Sequence, residues 1–370
     1  MTNPRSSAGK HPPEYPRSLP ASEWPDADRR AWEDACRSGS RLKPGGAASY
    51  LAEVSRNDYA NRYGAFLGFL QRSGRLDRDA GAAAQVTLAN VDGYISDLTA
   101  RVRSGTVWNC IYKLRRAAEL LAPKADFSWL AEIEKDLALV IEPRSKYDRL
   151  VFTGPLVEAG LTLMTEAQGF ANNDIARARG MRNGLMIALL AICPIRLTNF
   201  AALEIGRTFK EIQGTWWIAL PSITTKSRRP DERRVPEWLN RWIEAYLSHS
   251  RPVLVRAGSA TNALWISSTT GGPMTRKNLG TLVSKITRET VGVDVSPHLF
   301  RTAAASTAAA YGGNTPHLAT ALLNHTDPRV TEEHYNRASS ISAAKAYAEI
   351  VEEYWRPDDG VGCSISDSAR

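Results

Sequence analysis

The sequence predicts a mainly α protein with one small antiparallel β-sheet, an α+β chain arranged in two domains. Three observations carry that expectation. The chain has 370 residues, enough for two separate cores. Apolar residues recur at helical spacing throughout residues 31–140. Beyond the polar, basic, proline-containing stretch IEPRSKYDRL at 141–150 the texture changes, and short β-like runs appear among the helices. The expected division is a disordered arm over 1–28, a helical domain over 29–142 and a linker over 143–150. A second domain over 151–340 and a tail helix with a disordered end over 341–370 complete it.

The opening MTNPRSSAGKHPPEYPRSLP has no apolar h-region, so it does not read as a secretory signal, and its proline, serine and glycine predict disorder. In the helical domain, AASYLAEVSRNDYANRYGAFLGFLQRSG sets Tyr59, Tyr63, Phe66, Leu67 and Leu70 at helical spacing, and Gly74 ends the helix. TLANVDGYISDLTARVRSG and SGTVWNCIYKLRRAAELLAP predict two more amphipathic helices, the second from near Ser104 to just before Pro123. Lys113, Arg115 and Arg116 lie on its exposed face, beside Trp108 and Tyr112. Such a face is either simply solvated or placed to meet DNA phosphates.

In the second domain, helices are expected at 154–167 and 175–192. The apolar run GLMIALLAICPI is too short to cross a bilayer and reads as a buried helix, so no membrane partner is expected. A β segment containing TFKEI, TWWIALP and TTKSRRP follows, then a long helix from Pro236 to near Leu254 and a strand, ALWIS. Gly271-Gly272-Pro273 marks a turn before a helix from about Thr275. Ser296-Pro297, Thr315-Pro316 and Asp327-Pro328 each pair an N-cap residue with proline at the first helical position. His298 falls in the first turn of its helix, and Arg301, three residues on, shares its face.

A formal charge of +8 favours a polyanionic partner. The cysteines Cys36, Cys110, Cys193 and Cys363 are far apart with no CxxC spacing, which points to reduced thiols in a cytoplasmic protein and to no zinc. No P-loop is present, and no cofactor is expected.

Singly, the chemical candidates are ambiguous. Arg196 could cap the preceding helix, Lys226 could be an ordinary hairpin lysine, and Tyr335 could be a packing residue. Their order along the chain is more specific. CPIRLTNFAALEI resembles the first arginine box of the tyrosine recombinases of the phage integrase family, and PHLFRTAAASTAA is similar to their HxxR box. LLNHTDPRVTEEHYNRA resembles the final box, in which a histidine precedes a tyrosine, and WWIALPSITTKSRRPDERRVP resembles the β-hairpin that carries the family's lysine. The resemblance spans residues 150–345, and the helical segment before it looks like the family's core-binding domain. Asn199 stands where the family often has glutamate, and Asn324 where it usually has glycine.

The resemblance implies a catalytic set of Arg196, Lys226, His298, Arg301, His325 and Tyr335, with Tyr335 as nucleophile. It implies site-specific strand exchange through a 3′-phosphotyrosyl intermediate, needing neither metal nor ATP because the covalent phosphoester conserves the bond energy. Expected partners are double-stranded DNA attachment sites, further copies of the chain in a homotetramer on paired sites, and accessory DNA-bending or directionality proteins. The two domains would close on duplex DNA as a clamp, with Lys113, Arg115, Arg116, Arg144, Lys146, Arg228, Arg276 and Lys277 as phosphate contacts. A type IB topoisomerase-like relaxing activity, or a catalytically inactive DNA-binding relative, are the alternative readings.

Overall fold

The computed structural model describes residues 17–142, 151–169, 173–257, 259–311 and 322–323. The chain divides into two compact units, Met1–Ser145 and Lys146–Arg370.

The first unit is helical: α1 (Asp26–Cys36), α2 (Glu53–Arg72), α3 (Ala82–Gln85), α4 (Leu88–Thr99), α5 (Ser104–Leu121) and α6 (Ser128–Leu139). Central α5 buries Val107, Cys110, Ile111, Leu114, Ala117, Ala118 and Leu121, a stripe at helical spacing that packs against α1, α2, α4 and α6. The predicted apolar face of α2 is also in the core, with Tyr63, Phe66, Leu67 and Leu70 buried. Helix α2 stops as expected at Gly74, whose φ of 67° suits glycine; the Gly74 N–H donates to the Gln71 carbonyl and the Arg75 N–H to that of Leu70, closing a Schellman cap. A buried carboxylate ties the first three helices together. Asp28 accepts from the Tyr63 hydroxyl at 2.6 Å and from the Ala82 N–H at 2.7 Å, while burial pushes its pKa up.

The expected disordered arm over 1–28 is corrected from Arg17 onward. Leu19 and Trp24 are core residues, the Leu19 N–H donates to the Gly64 carbonyl, and α1 begins at Asp26. Composition over twenty residues hid two apolar anchors. Residues 1–16 lie outside the described residues.

In the second unit, α7 (Thr153–Gln168) and α8 (Asp174–Ile192) form the tightest helix pair. Gly160 and Gly184 let the backbones meet: a Cβ on Gly184 would lie 2.5 Å from the Gly160 carbonyl oxygen. The apolar run is a buried helix, every residue from Gly184 to Ala191 being inaccessible. After α9 (Leu197–Ala201) come β1 (Phe209–Ile212), β2 (Thr215–Leu220) and β3 (Asp231–Arg234), an antiparallel sheet in the order β1-β2-β3. Gln213 and Gly214, both at positive φ, make the two-residue β1–β2 turn that matches strand twist.

Three sequence expectations are refined here. TTKSRRP is not strand: Ser222–Thr224 make a 3-10 turn, and Thr225, buried, closes the loop by donating its hydroxyl to the Arg229 carbonyl at 2.6 Å. The predicted long helix is segmented into a 3-10 turn (Glu237–Leu239), α10 (Asn240–Ala245), a π-turn (Tyr246–Ser250) and α11 (Arg251–Leu254). Pro252 lacks an N–H for the carbonyl four residues back, so the ladder shifts register just before it. ALWIS forms isolated bridges at Ala263 and Ile266 rather than a strand. Its carbonyls are taken by side chains instead: Arg251 donates to Ala263, Tyr246 to Leu264 and Arg182 to Ile266. Finally α12 (Arg276–Val291), capped by the Thr275 hydroxyl, and α13 (Pro297–Tyr311) follow the turn and Ser-Pro signals read from the sequence.

Candidate phosphate-binding site

Helix α8 cannot continue past Pro194, and the short Cys193-Pro194-Ile195 segment delivers Arg196 to the start of α9. Arg196 is half-buried, its carbonyl accepting from the Phe200 N–H at 2.9 Å. Phe200, fully buried, anchors α9 by accepting from Trp265 Nε1 at 2.9 Å through its own carbonyl. The position of Arg196 is thereby fixed by the core on both sides.

Arg301 lies in the second turn of α13 and is only 6% exposed. Its Nη1 donates to the Pro194 carbonyl at 2.5 Å, and its Nη2 to the Leu323 carbonyl at 2.6 Å. One guanidinium therefore bridges a residue two before Arg196 to a residue two before His325. Burial is the main cause that lowers its pKa to about 10, followed by the neighbouring charges of Arg196 and Arg233, while Asp231 acts in the opposite sense. The protein thus holds several guanidinium groups close together in a buried place, an arrangement that favours an anion.

His298 sits exposed in the first turn of α13. Lys226 and Arg228 are exposed on the β2–β3 connection, whose base Thr225 fixes; Arg228 has a positive φ of 53°. Arg276 and Lys277 are exposed in the first turn of α12. His325, Tyr335, Arg144 and Lys146 lie outside the described residues.

The basic residues expected on α5 are half-buried and carry ion pairs within the helical unit. Lys113 pairs with Asp58, and Arg116 with Glu119 at 2.6 Å. Arg115 is a strut: Nε and Nη2 fork onto Glu134 of α6 at 2.6 and 3.0 Å, and Nη1 reaches Glu119 at 2.7 Å. Glu119, one turn on along α5, is visible in that helix's own periodicity, whereas Asp58 of α2 and Glu134 of α6 are brought in by the fold.

Sequence reading also passed over Asp231 and Arg233, whose charges act on Arg301. The available signal was the alternation in DERR, which puts residues 231 and 233 on one face of a strand. Among the described residues no group of three histidine, cysteine, aspartate or glutamate side chains could hold a metal ion.

A helical unit followed by a unit with a three-stranded antiparallel sheet and buried arginines is the architecture that the resemblance to the tyrosine recombinases implies. Residues 162–340 match the model of the phage integrase family. Among solved structures, that of the XerH site-specific recombinase bound to difH substrate, a pre-cleavage complex, is similar with a TM-score of 0.53 at 14% identity, covering 88% of this chain and 99% of that one. The Tn1549 transposon integrase in complex with transposon right end DNA gives 0.52 at 14% identity, over 81% and 96% of the two chains. At such identity both speak for the fold. No curated protein sequence matches the chain.

Proposed function

We propose that this chain is a site-specific DNA recombinase that cleaves and rejoins duplex DNA through a 3′-phosphotyrosyl intermediate on Tyr335. The observation that carries the reading is Arg301, which links the Arg196 segment to the segment that leads into His325. Both arginines then face one phosphate, and two guanidinium groups offset the charge that gathers on its non-bridging oxygens as a fifth oxygen approaches phosphorus.

In this reaction the Tyr335 oxygen bonds to phosphorus and the bond from phosphorus to the 5′ oxygen breaks. The phenolic proton, held with a pKa near 10 in the free side chain, passes to His298. Lys226 protonates the departing 5′ oxygen, and His325 hydrogen-bonds the phosphate. Attack by a 5′-hydroxyl from a partner strand reverses the steps and rejoins the DNA, so neither metal nor ATP is consumed. Arg276, Lys277 and Arg228 are proposed phosphate contacts. The helix dipole disfavours cations in the first turn of α12, and a phosphate there would offset both. Paired attachment sites would be held by a homotetramer, with accessory DNA-bending or directionality proteins as further partners.

The test is trapping on a nicked duplex carrying a site selected from a random library, without metal or ATP, for wild type and Tyr335→Phe. A covalent adduct in wild type alone is the expected result. An adduct that persists in the phenylalanine variant would move the nucleophile elsewhere. DNA binding with no adduct in either would favour a non-catalytic DNA-binding protein, and relaxation of plasmids lacking the site a topoisomerase-like activity.

A further inference from the structure

We propose that Arg233, oriented by Asp231, is a positioning residue of the phosphate site: a further buried guanidinium behind Arg196 and Arg301 that holds the base of the Lys226 loop in register with them and biases the pocket toward a phosphate. The proposal rests on the function proposed above and extends it to two residues outside the six implied by the sequence.

The geometry begins with strand register. Arg233 is paired with Ile218, and Ile218 with Phe209, so the three side chains share one face of the sheet. Phe209 and Ile218 are fully buried, which makes that face the core face. Arg233 is the only residue of β3 that is buried, at 9% exposure. Asp231, two residues earlier on the same face, accepts from Nε at 2.8 Å and from Nη2 at 3.0 Å, a fork that fixes the plane of the guanidinium. Nη1 remains buried with no hydrogen-bond partner. A buried donor without an acceptor is unfavourable, and such groups are rare enough to need a reason.

The surroundings supply one. Arg196 and Arg233 both act on Arg301 as like charges, with Asp231 as the opposing carboxylate. Arg233 and Asp231 also act on the buried Cys193, at the head of the segment that delivers Arg196. The β3 pair is therefore within electrostatic reach of both Arg301 and the segment that delivers Arg196, and it follows directly on the loop that carries Lys226. Positive charge concentrated this way is strained until an anion enters, and it gains most when the anion's charge grows, as it does when phosphorus becomes five-coordinate.

The experiment uses the full-length chain and the nicked duplex, comparing wild type with Arg233→Gln, Arg233→Lys and Asp231→Asn. DNA affinity, which is spread over many phosphate contacts, is expected to fall far less than the rate, while adduct formation slows by about 10- to 100-fold in Arg233→Gln and recovers in part in Arg233→Lys. The alkaline limb of the rate reports deprotonation of the site's cations, Arg301 and the proposed general acid Lys226 together. It moves to higher pH in Arg233→Gln, which removes a like charge, and to lower pH in Asp231→Asn, which removes the opposite one. On a duplex whose scissile phosphate is replaced by a neutral methylphosphonate, the Arg233→Gln defect shrinks. Equal defects on both substrates, limb shifts in the same direction, or a wild-type rate in Arg233→Gln would overturn the proposal. Sodium tungstate, an inorganic oxyanion, gives a readout independent of cleavage: it raises the melting temperature of wild type more than that of Arg233→Gln. Should wild type form no adduct, the proposed function falls, and the tungstate comparison alone decides Arg233, with equal shifts overturning its role.

Discussion

At the scale of single residues, burial separates arginines that serve the fold from arginines that face solvent. Arg115 has 19% of its side chain exposed and Glu134 10%, and together they join α5 to α6. Replacing Arg115 by alanine leaves the Glu134 carboxylate half stranded in the unit's interior. The expected cost is about 2 kcal/mol, below the full price of a wholly buried pair because Arg115 still reaches solvent, and urea denaturation measures it. Arg276 and Lys277 behave differently. Each is exposed with a helix N-terminus beneath it, and each is expected to lower the slope of log affinity for duplex DNA against log salt by about one when changed to alanine. Arg115→Ala should leave that slope unchanged, so a salt titration of the three variants distinguishes a strut from a phosphate contact. Of the arginines around the site, Arg196 and Arg301 were legible in the sequence because each sits in a short string whose neighbours matter locally. Arg233 was not, since its meaning depends on which strand it pairs with and on Arg301, 68 positions away by their numbers.

At the scale of elements, α7 and α8 make the framework on which Arg196 is hung. Their contact depends on two glycines facing each other. Gly184→Ala would place a methyl 2.5 Å from the Gly160 oxygen and 2.9 Å from the Met164 nitrogen, both backbone atoms that cannot rotate away. Alanine favours a helix over glycine by roughly 1 kcal/mol, but the forced separation of two packed helices costs more, so a net loss of about 1–2 kcal/mol is expected in a denaturation midpoint. Because α8 leads straight into Cys193-Pro194-Ile195-Arg196, the same variant should slow adduct formation beyond what its stability loss explains. Equal rates at saturating DNA would show that the helix pair does not position Arg196. Helix existence and helix ends were readable here from periodicity, Gly74, Thr275 and Ser296-Pro297. The π-turn had its signal in Pro252; the failed ALWIS strand had none, because side-chain donors from elsewhere took the carbonyls that a partner strand would have used.

At the scale of the whole molecule, the two large apolar cores among the described residues fall one in each unit. One is built from Tyr63, Phe66, Ile111, Leu114 and their neighbours, the other from α8, the sheet and α12. Each draws its apolar residues from one unit, so each can unfold as its own cooperative body. Calorimetry is expected to show two transitions, with Arg115→Ala lowering one and Gly184→Ala the other. A single transition lowered by both variants would show that the units melt together.

The sequence by itself determined the helical first unit, the mixed second unit and the strings that carry Arg196, Lys226, His298 and Arg301, because helical periodicity, capping and short motifs are properties of neighbouring residues. Only the tertiary structure decided that Leu19 and Trp24 belong to the core, that Arg115 is tied to Glu134, and that the charges of Asp231 and Arg233 act on Arg301. Those outcomes depend on burial and on charges brought together from distant positions, and the free energy of a buried charge is set by whatever the fold places around it.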